Sequence, residues 1–305
     1  MKIAVMGTGA IGGYVGACLQ RAGAKVSLIA RGAHLQAIRS DGLTVTSPLG
    51  DQHIRPALAT DDPAEVGPVD IVLFAVKLYD MAASAETIRP MVGPDTVVIF
   101  LQNGVDAEAV LCQAYERRQV AGGVALINGA LAAPGRIEHR ALNGLVVGPL
   151  DGGEDRRLER FVALAIEGGI DATLNPDIRG EIWRKFLLLA PMASLSAMTR
   201  VPLEAIRSTP ETWALAEQGM REVAAVAAAE DVTLSARDIA GTLEFVAGMP
   251  GTWKASTLID LEQGKRLEVE WLAGAVCRLA ERHGLDAPFH RAALGTLMPL
   301  AGGAI

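Results

Sequence analysis

The first dozen residues leave few folds open. Lys2-Ile-Ala-Val-Met-Gly7-Thr-Gly9-Ala-Ile-Gly12-Gly13 is a short apolar run that breaks into closely spaced glycines and resumes at helical spacing through Val15, Leu19 and Ala22. Ile3 to Met6 reads as a buried parallel strand. Gly7 lets the chain turn tightly, Gly9 lets backbone approach a pyrophosphate, and Gly12 lets the following helix pack close to the strand. The positive end of that helix then faces the phosphates. Glycine spacings of this kind arise by chance in a chain holding 33 glycines, so context decides. Here Gly23 and a second strand, Lys25 to Ala30, complete a βαβ unit of roughly 30 residues, the length a dinucleotide-binding unit requires.

The same opening, with Lys2 followed by an uncharged run to Leu19, also has the outline of a secretory signal. Its many glycines, the lack of a strong apolar block and the lack of a small-residue cleavage pattern argue against that reading. The net charge of -7 and the absence of basic runs argue against a nucleic-acid surface. Cys18, Cys112 and Cys277 are odd in number and far apart, which suits neither a disulfide framework nor a metal cluster and fits a reducing cytoplasm. The longest uncharged stretches fall short of the ~20 apolar residues a membrane span needs.

Arg31 stands about 20 residues past the glycines, where an acidic residue would grip the ribose 2′-hydroxyl of NAD. An arginine there can pair instead with the 2′-phosphate of NADP through charge-assisted hydrogen bonds, although a solvated loop arginine is the alternative. The stretch from Asp41 to Gly50 suggests a hairpin, and Asp61-Asp-Pro63 a capped turn. Asp70 to Val76 and Thr96 to Leu101 are continuous apolar runs typical of central parallel strands, with a helical segment between them. They end at Lys77 and at Gln102-Asn103-Gly104. Ligands of open parallel sheets lie beyond the carboxyl ends of the strands, which makes Lys77 and Asn103 candidates; a solvated lysine and a plain Asn-Gly turn explain them equally well.

Val120 to Ile127, Gly135 to His139 and Leu145 to Gly148 read as three further strands, antiparallel because their links are short. A helix from Glu154 to Glu167 and a strand near Ala172 to Leu174 precede Asn175-Pro176-Asp177, where the domain boundary is placed. From there the pattern is helical throughout. Thr209-Pro210-Glu211 is a helix opening with a capping residue. Trp213, Ala216, Met220, Val223 and Ala227 recur at core spacing, and Leu261 to His283 reads as one long helix, interrupted if anywhere at Gly264. Lys185 is the unusual residue of this half. It lies in Ile182-Trp-Arg-Lys185-Phe-Leu-Leu-Leu-Ala-Pro191, where an ammonium near apolar surroundings loses charge and moves toward the range useful for general-acid work. A lysine snorkelling to the surface beside Arg184 is the plainer account of the pattern. Pro191 frees the carbonyl of Leu187, so a kink is expected just past Lys185.

Taken together, Gly7-x-Gly9-Ala10-Ile11-Gly12, Arg31, Lys77, Gln102-Asn103-Gly104, Trp183-x-Lys185 and Ser256-x-x-x-Asp260 with Glu268 resemble, in order and separation, the ketopantoate reductase (2-dehydropantoate 2-reductase) family. The resemblance covers nearly the whole chain. It implies an α/β fold class: an N-terminal Rossmann-type dinucleotide-binding domain over 1–175 followed by an all-helical C-terminal domain over 176–305. It also implies NADPH-dependent reduction of a 2-keto acid in the cleft between them, in the cytoplasm and within pantothenate biosynthesis, with a homodimer among the admissible assemblies. Carried over residue by residue, Lys185 is the general acid and Glu268 its acidic companion. Ser256 and Asn103 bind substrate, and Gly7, Gly9, Ala10, Ile11, Gly12, Arg31, Lys77 and Asn103 line the NADP(H) site.

Two positions depart from the family pattern. The best-known members carry asparagines one and two helical turns after the lysine, where this chain has Leu189 and Ala193. That implies a more apolar substrate pocket and opens the question of which 2-keto acid is used. Two other readings stand beside this one. A 3-hydroxyacid dehydrogenase also joins a Rossmann domain to a helical one, though the Ser256 to Glu268 block argues against it. A non-catalytic NADP sensor would keep the cofactor fold without turnover.

Overall fold

The protein is described over residues 1–303 by a computed structural model. It divides into two compact units: Met1–Gln102 with Ala107–Ile178, and Asn103–Asp106 with the chain from Arg179 on. The first unit is α/β and the second is helical.

The first unit is built on strand β1 (Lys2–Met6), helix α1 (Ala10–Arg21) and strand β2 (Lys25–Ile29), with β1 and β2 parallel. Strands β3 (Leu43–Thr46) and β4 (Gln52–Ile54) form the anticipated hairpin. Strands β5 (Leu58–Thr60), β6 (Ile71–Phe74) and β7 (Val97–Phe100) complete the parallel part, in spatial order β7-β6-β1-β2-β5. Every residue of β6 and β7 is buried, because helices cover both faces of the sheet; that is why these strands read as unbroken apolar runs. Between β2 and β3 lies a helix the sequence reading did not anticipate, α2 (Gly32–Asp41). It buries only Leu35 and Ile38, too sparse a stripe to stand out against the exposed residues around it.

After α3 (Met81–Thr87) and α4 (Ala107–Ala114) come two 14-residue antiparallel strands, β8 (Val120–Ala133) and β9 (Arg136–Pro149), where three short strands were expected. Asn128-Gly129 and Asn143-Gly144 look like turns in sequence. In the fold, Asn128-Gly129 sits at register shifts within one continuous hairpin, and Ile127 still pairs with Asn143 and Leu126 with Gly144. A bulge uses the same residues as a turn but lets the strand continue. Helix α5 (Arg156–Glu167), capped by Asp155 through a 2.8 Å bond from the Arg157 amide, leads to β10 (Asp171–Leu174), which pairs parallel with β9.

The second unit starts on α6 (Ile178–Thr199), a 22-residue helix that runs on past Pro191. It continues through α7 (Leu203–Ser208), α8 (Pro210–Ala229), α9 (Ala236–Ala247), α10 (Ser256–Glu262), α11 (Ala273–His283) and α12 (Pro288–Leu297). Ala216, Met220, Val223 and Ala227 of α8 are fully buried and Trp213 packs against them, as their spacing predicts. Thr209 precedes α8 but its hydroxyl does not cap it, since it donates to the carbonyl of Ala205 at 2.8 Å. The long helix expected from Leu261 to His283 is two helices, α10 and α11, joined by a turn at Gly264 and an irregular stretch. Leu267 and Val269, between the two helices, bury in a cluster with Ala197, Ala273 and Leu297, and the Leu267 amide donates to Ala301.

Glu222 of α8 fastens α12 from below. Its carboxylate accepts from the amides of Phe289 (2.8 Å) and His290 (3.1 Å) and from His290 Nδ1 (2.8 Å). Burial pushes the carboxyl upward, but these bonds outweigh it and hold Glu222 below the usual carboxylate range. Among the described residues, no helix is long and apolar enough to cross a membrane, no group of histidine, cysteine and acidic side chains is placed to hold a metal, and the three cysteines are free thiols.

Candidate active site

Parallel pairing aligns the carboxyl ends of three adjacent strands. Met6 lies opposite both Ile29 and Phe74, so the glycine turn, Arg31 and the segment leading to Lys77 leave the sheet side by side. Gly7 has φ +96°, and a Cβ there would lie 2.8 Å from the backbone of Ala75 and Val76. Only glycine satisfies both conditions. A Cβ on Gly12 would meet the Gly7 carbonyl at 2.3 Å and Val5 at 2.9 Å, whereas one on Gly9 would meet nothing within 4 Å. Gly7 and Gly12 therefore close the turn onto the strand, and Gly9 faces open space.

Gly9 is also the N-cap of α1, whose first turn has no side-chain cap and no acidic residue. Four amides at a helix N-terminus need acceptors, and here they carry a partial positive charge that no acidic residue of the first turn offsets. Gly9, Ala10, Ile11 and Gly12 form this helix start, which fits a dinucleotide pyrophosphate. Arg31 is the N-cap of α2 with its side chain 80 % exposed, and its guanidinium donates to Asp80 at 3.0 Å. Lys77 is exposed and precedes a single 3-10 turn, Leu78–Asp80. Gln102 is buried at the end of β7 and donates to the Val76 carbonyl at 3.2 Å, tying two strand exits together. The sheet edge thus brings together all the candidate cofactor residues of the first unit.

Asn103 groups with the second unit and is partly buried. In its segment Val105 packs against that unit's main apolar cluster, and Asp106 accepts from Arg278 of α11 at 2.6 Å. Lys185 is partly buried on α6, whose adjacent residues Trp183, Phe186 and Leu187 belong to the same cluster as Val105. Burial there lowers its ammonium to a pKa of about 8. Leu189, Ala193 and Ala197 follow Lys185 at steps of four and continue its face of the helix. Ala197 packs in one cluster with Leu267 and Val269, the residues on either side of Glu268, which is partly buried and caps a 3-10 turn, Val269–Trp271. Ser256 opens α10, exposed, and the preceding Ala255 joins the cluster around Trp183 and Phe186. The elements that carry Lys185, Ser256 and Glu268 thus share apolar packing within one unit.

The sequence reading missed two residues at the glycine edge. Asp80, the partner of Arg31, lies 49 positions away from it and carried no signal of its own. His34 lies in the unanticipated helix α2 and bonds the glycine turn, with Nε2 2.7 Å from the Thr8 carbonyl. Recognising α2 from Leu35 and Ile38 would have pointed to it.

Comparison with known proteins sharpens the picture. Residues 3–152 match the family model described as "Ketopantoate reductase PanE/ApbA", and residues 177–301 match its C-terminal model. The chain is 31% identical to a 2-dehydropantoate 2-reductase of Mesorhizobium japonicum, over 99% of this chain and 98% of the relative. It is equally 31% identical to one of Halobacterium salinarum, over 99% of both chains. The crystal structure of a PanE/ApbA family ketopantoate reductase from Ralstonia eutropha superposes with a TM-score of 0.90 at 32% identity, covering 99% of this chain and 98% of that one.

Proposed function

Because this chain belongs to the ketopantoate reductase family, we propose that it is an oxidoreductase that uses NADPH to reduce the ketone of a 2-keto acid to the 2-hydroxy acid. Residues 1–175 serve as the cofactor domain and 176–305 as the substrate and catalytic domain. The observation that carries the reading is Lys185, a partly buried lysine on a helix whose neighbouring Trp183, Phe186 and Leu187 enter an apolar cluster, drawn down by burial to a pKa of about 8. A proton donor works best when its pKa lies near the working pH, and an unperturbed lysine, at about 10.4, is a poor one.

A bound nicotinamide supplies hydride to the carbonyl carbon. The rest is done by the chain. Lys185 gives a proton to the carbonyl oxygen as negative charge develops there, and Glu268 orients the lysine. Ser256 and Asn103 hold the polar groups of the substrate. Gly9, Ala10, Ile11 and Gly12 bind the pyrophosphate through the open start of α1, with Gly7 shaping the turn and Lys77 at the cofactor edge. Arg31 takes the 2′-phosphate, and its arginine identity, where an NAD enzyme needs an acid, supports NADPH over NADH.

Leu189 and Ala193, apolar on the face that begins at Lys185, favour a substrate less hydroxylated than 2-dehydropantoate. A panel of branched, hydroxylated and aromatic 2-keto acids, assayed with NADPH and NADH in parallel, tests the proposal. The expected result is NADPH oxidation with at least one branched member. Tight NADPH binding with no turnover on any member would point to a sensor, and a clear preference for NADH would remove the role given to Arg31.

A further inference from the structure

His34 holds two backbone groups that belong to different parts of the first unit. The amide of Gly135, in the turn between β8 and β9, donates to Nδ1 at 2.9 Å, and Nε2 lies 2.7 Å from the carbonyl oxygen of Thr8. Each partner dictates a protonation state. A backbone amide can only donate, so Nδ1 carries a lone pair; a carbonyl can only accept, so Nε2 carries the proton. The ring is therefore the neutral Nε2–H tautomer, and burial, which lowers its pKa, favours the same neutral form.

Both partners are held from their other sides as well. The Gly135 carbonyl accepts from the Thr44 amide at 2.9 Å, which clamps the hairpin turn against β3. The Thr8 hydroxyl donates to the Ile29 carbonyl at 2.9 Å, which ties the glycine turn to the end of β2. His34 thus leans on a fixed point, the hairpin turn, and acts on the residue between Gly7 and Gly9.

The consequence follows from peptide geometry. The Thr8–Gly9 peptide is planar and trans, so its C=O and N–H point in opposite directions. Fixing the Thr8 oxygen toward His34 fixes the Gly9 N–H away from it. Gly9 is the N-cap of α1, with open space over its α-carbon. We propose that His34 is a positioning residue for the cofactor: by holding the Thr8 carbonyl and the Gly135 amide at once, its ring aims the Gly9 amide at the pyrophosphate. This rests on the reading of the glycine turn as the dinucleotide site.

The experiment measures binding to the full-length protein by titration calorimetry, with NADPH and with 2′-AMP as probes. 2′-AMP carries the phosphate assigned to Arg31 but no pyrophosphate, so it reports on α2 without reporting on the Gly9 amide. His34→Leu keeps bulk and loses both hydrogen bonds; its expected effect is an NADPH Kd raised about tenfold, the scale of one well-placed hydrogen bond. Its kcat at saturating NADPH and its Kd for 2′-AMP should stay within about twofold of wild type. His34→Gln retains one acceptor and one donor on the same side chain, and should bind NADPH within about twofold of wild type, which keeps the test decisive if the leucine variant folds poorly.

Unchanged NADPH binding in His34→Leu would overturn the proposal. So would an equal loss for both probes, which would mean that His34 only holds α2 in place, and so would a tenfold loss in His34→Gln. If wild type itself bound 2′-AMP but not NADPH, the dinucleotide reading of the glycine turn would fall before His34 was reached.

Discussion

The two units build their candidate sites from different materials. At the glycine edge the working groups are backbone: amides at the start of α1, a turn only glycine can make, and strand ends aligned by parallel pairing. In the helical unit they are side chains on separate helices and a connecting stretch, gathered by apolar packing around Trp183, Phe186, Leu267 and Val269. A backbone site is hard to alter without changing the fold. A side-chain site can lose one group and leave the fold standing, so the first should be sensitive to added atoms and the second to removed ones.

The largest effect should come from the second kind of site. Lys185→Ala is expected to lower kcat about 10²–10⁴-fold, the range for loss of a general acid, while the NADPH Kd measured by fluorescence stays unchanged. The pH profile supplies the sign. Lys185 donates only while it is an ammonium, so with a pKa of about 8 the rate should fall as pH rises through that value, by about tenfold per unit beyond it. Below it the lysine limb should be flat, and in the alanine variant the descent should vanish. A profile flat to pH 10 would remove Lys185 from the chemistry.

Arg31→Ala comes next. A hydrogen bond to a charged group contributes about 1.5–3 kcal/mol, so NADPH affinity should drop roughly 10- to 100-fold. NADH affinity should hardly move, and the ratio of the two Kd values checks the prediction. Asp80 complicates the wild-type arginine by accepting from it at 3.0 Å, but both side chains are substantially exposed and such a pair contributes little. An equal loss for both cofactors would mean that Arg31 supports the loop and does not read the 2′-phosphate.

The glycines test the backbone site directly and separate its two jobs. Gly12→Ala places a methyl 2.3 Å from the Gly7 carbonyl, and overpacking of that kind costs about 1–3 kcal/mol, so both melting temperature and NADPH affinity should fall. Gly9→Ala meets no atom of the chain, so its melting temperature should match wild type while NADPH affinity drops about tenfold, because the methyl occupies the side from which the phosphates approach. If Gly9→Ala also melted early, the open space over Gly9 would be filled by the fold itself.

This difference in materials also explains what could be read in advance. The glycine turn, the buried strands and Arg31 follow from local rules, since a few adjacent residues specify the turn and the period specifies the strand. Bonds such as Arg31 to Asp80 or His34 to Gly135 join residues 49 and 101 positions apart, and no local pattern encodes them. Irregular structure misled the reading in the same way. Leu267 and Val269 fall within an apolar pattern read as one helix yet bury from the irregular stretch and 3-10 turn between α10 and α11, and Asn128-Gly129 has turn composition yet sits within a continuous hairpin. Lys185 was readable as unusual, but its pattern equally suited a surface lysine. Only the fold shows that α6 is packed into an apolar cluster at Trp183, Phe186 and Leu187 and that Lys185 itself is partly buried.

The smallest expected effect concerns substrate choice, at Leu189. It lies one turn beyond Lys185 on the same face of α6 and is partly buried. An apolar wall discriminates weakly against a substrate that merely adds a hydroxyl, so wild type should favour branched, unhydroxylated keto acids only modestly over 2-dehydropantoate. An asparagine there offers a donor and an acceptor, and one such hydrogen bond contributes about 0.5–1 kcal/mol net, roughly two- to fivefold. Leu189→Asn should therefore shift the ratio of kcat/KM values toward 2-dehydropantoate by that factor, through KM, with kcat on the branched substrate nearly unchanged. An unchanged ratio would mean that Leu189 does not face the substrate, and that the apolar step from Lys185 to Ala193 belongs to packing of the helix alone.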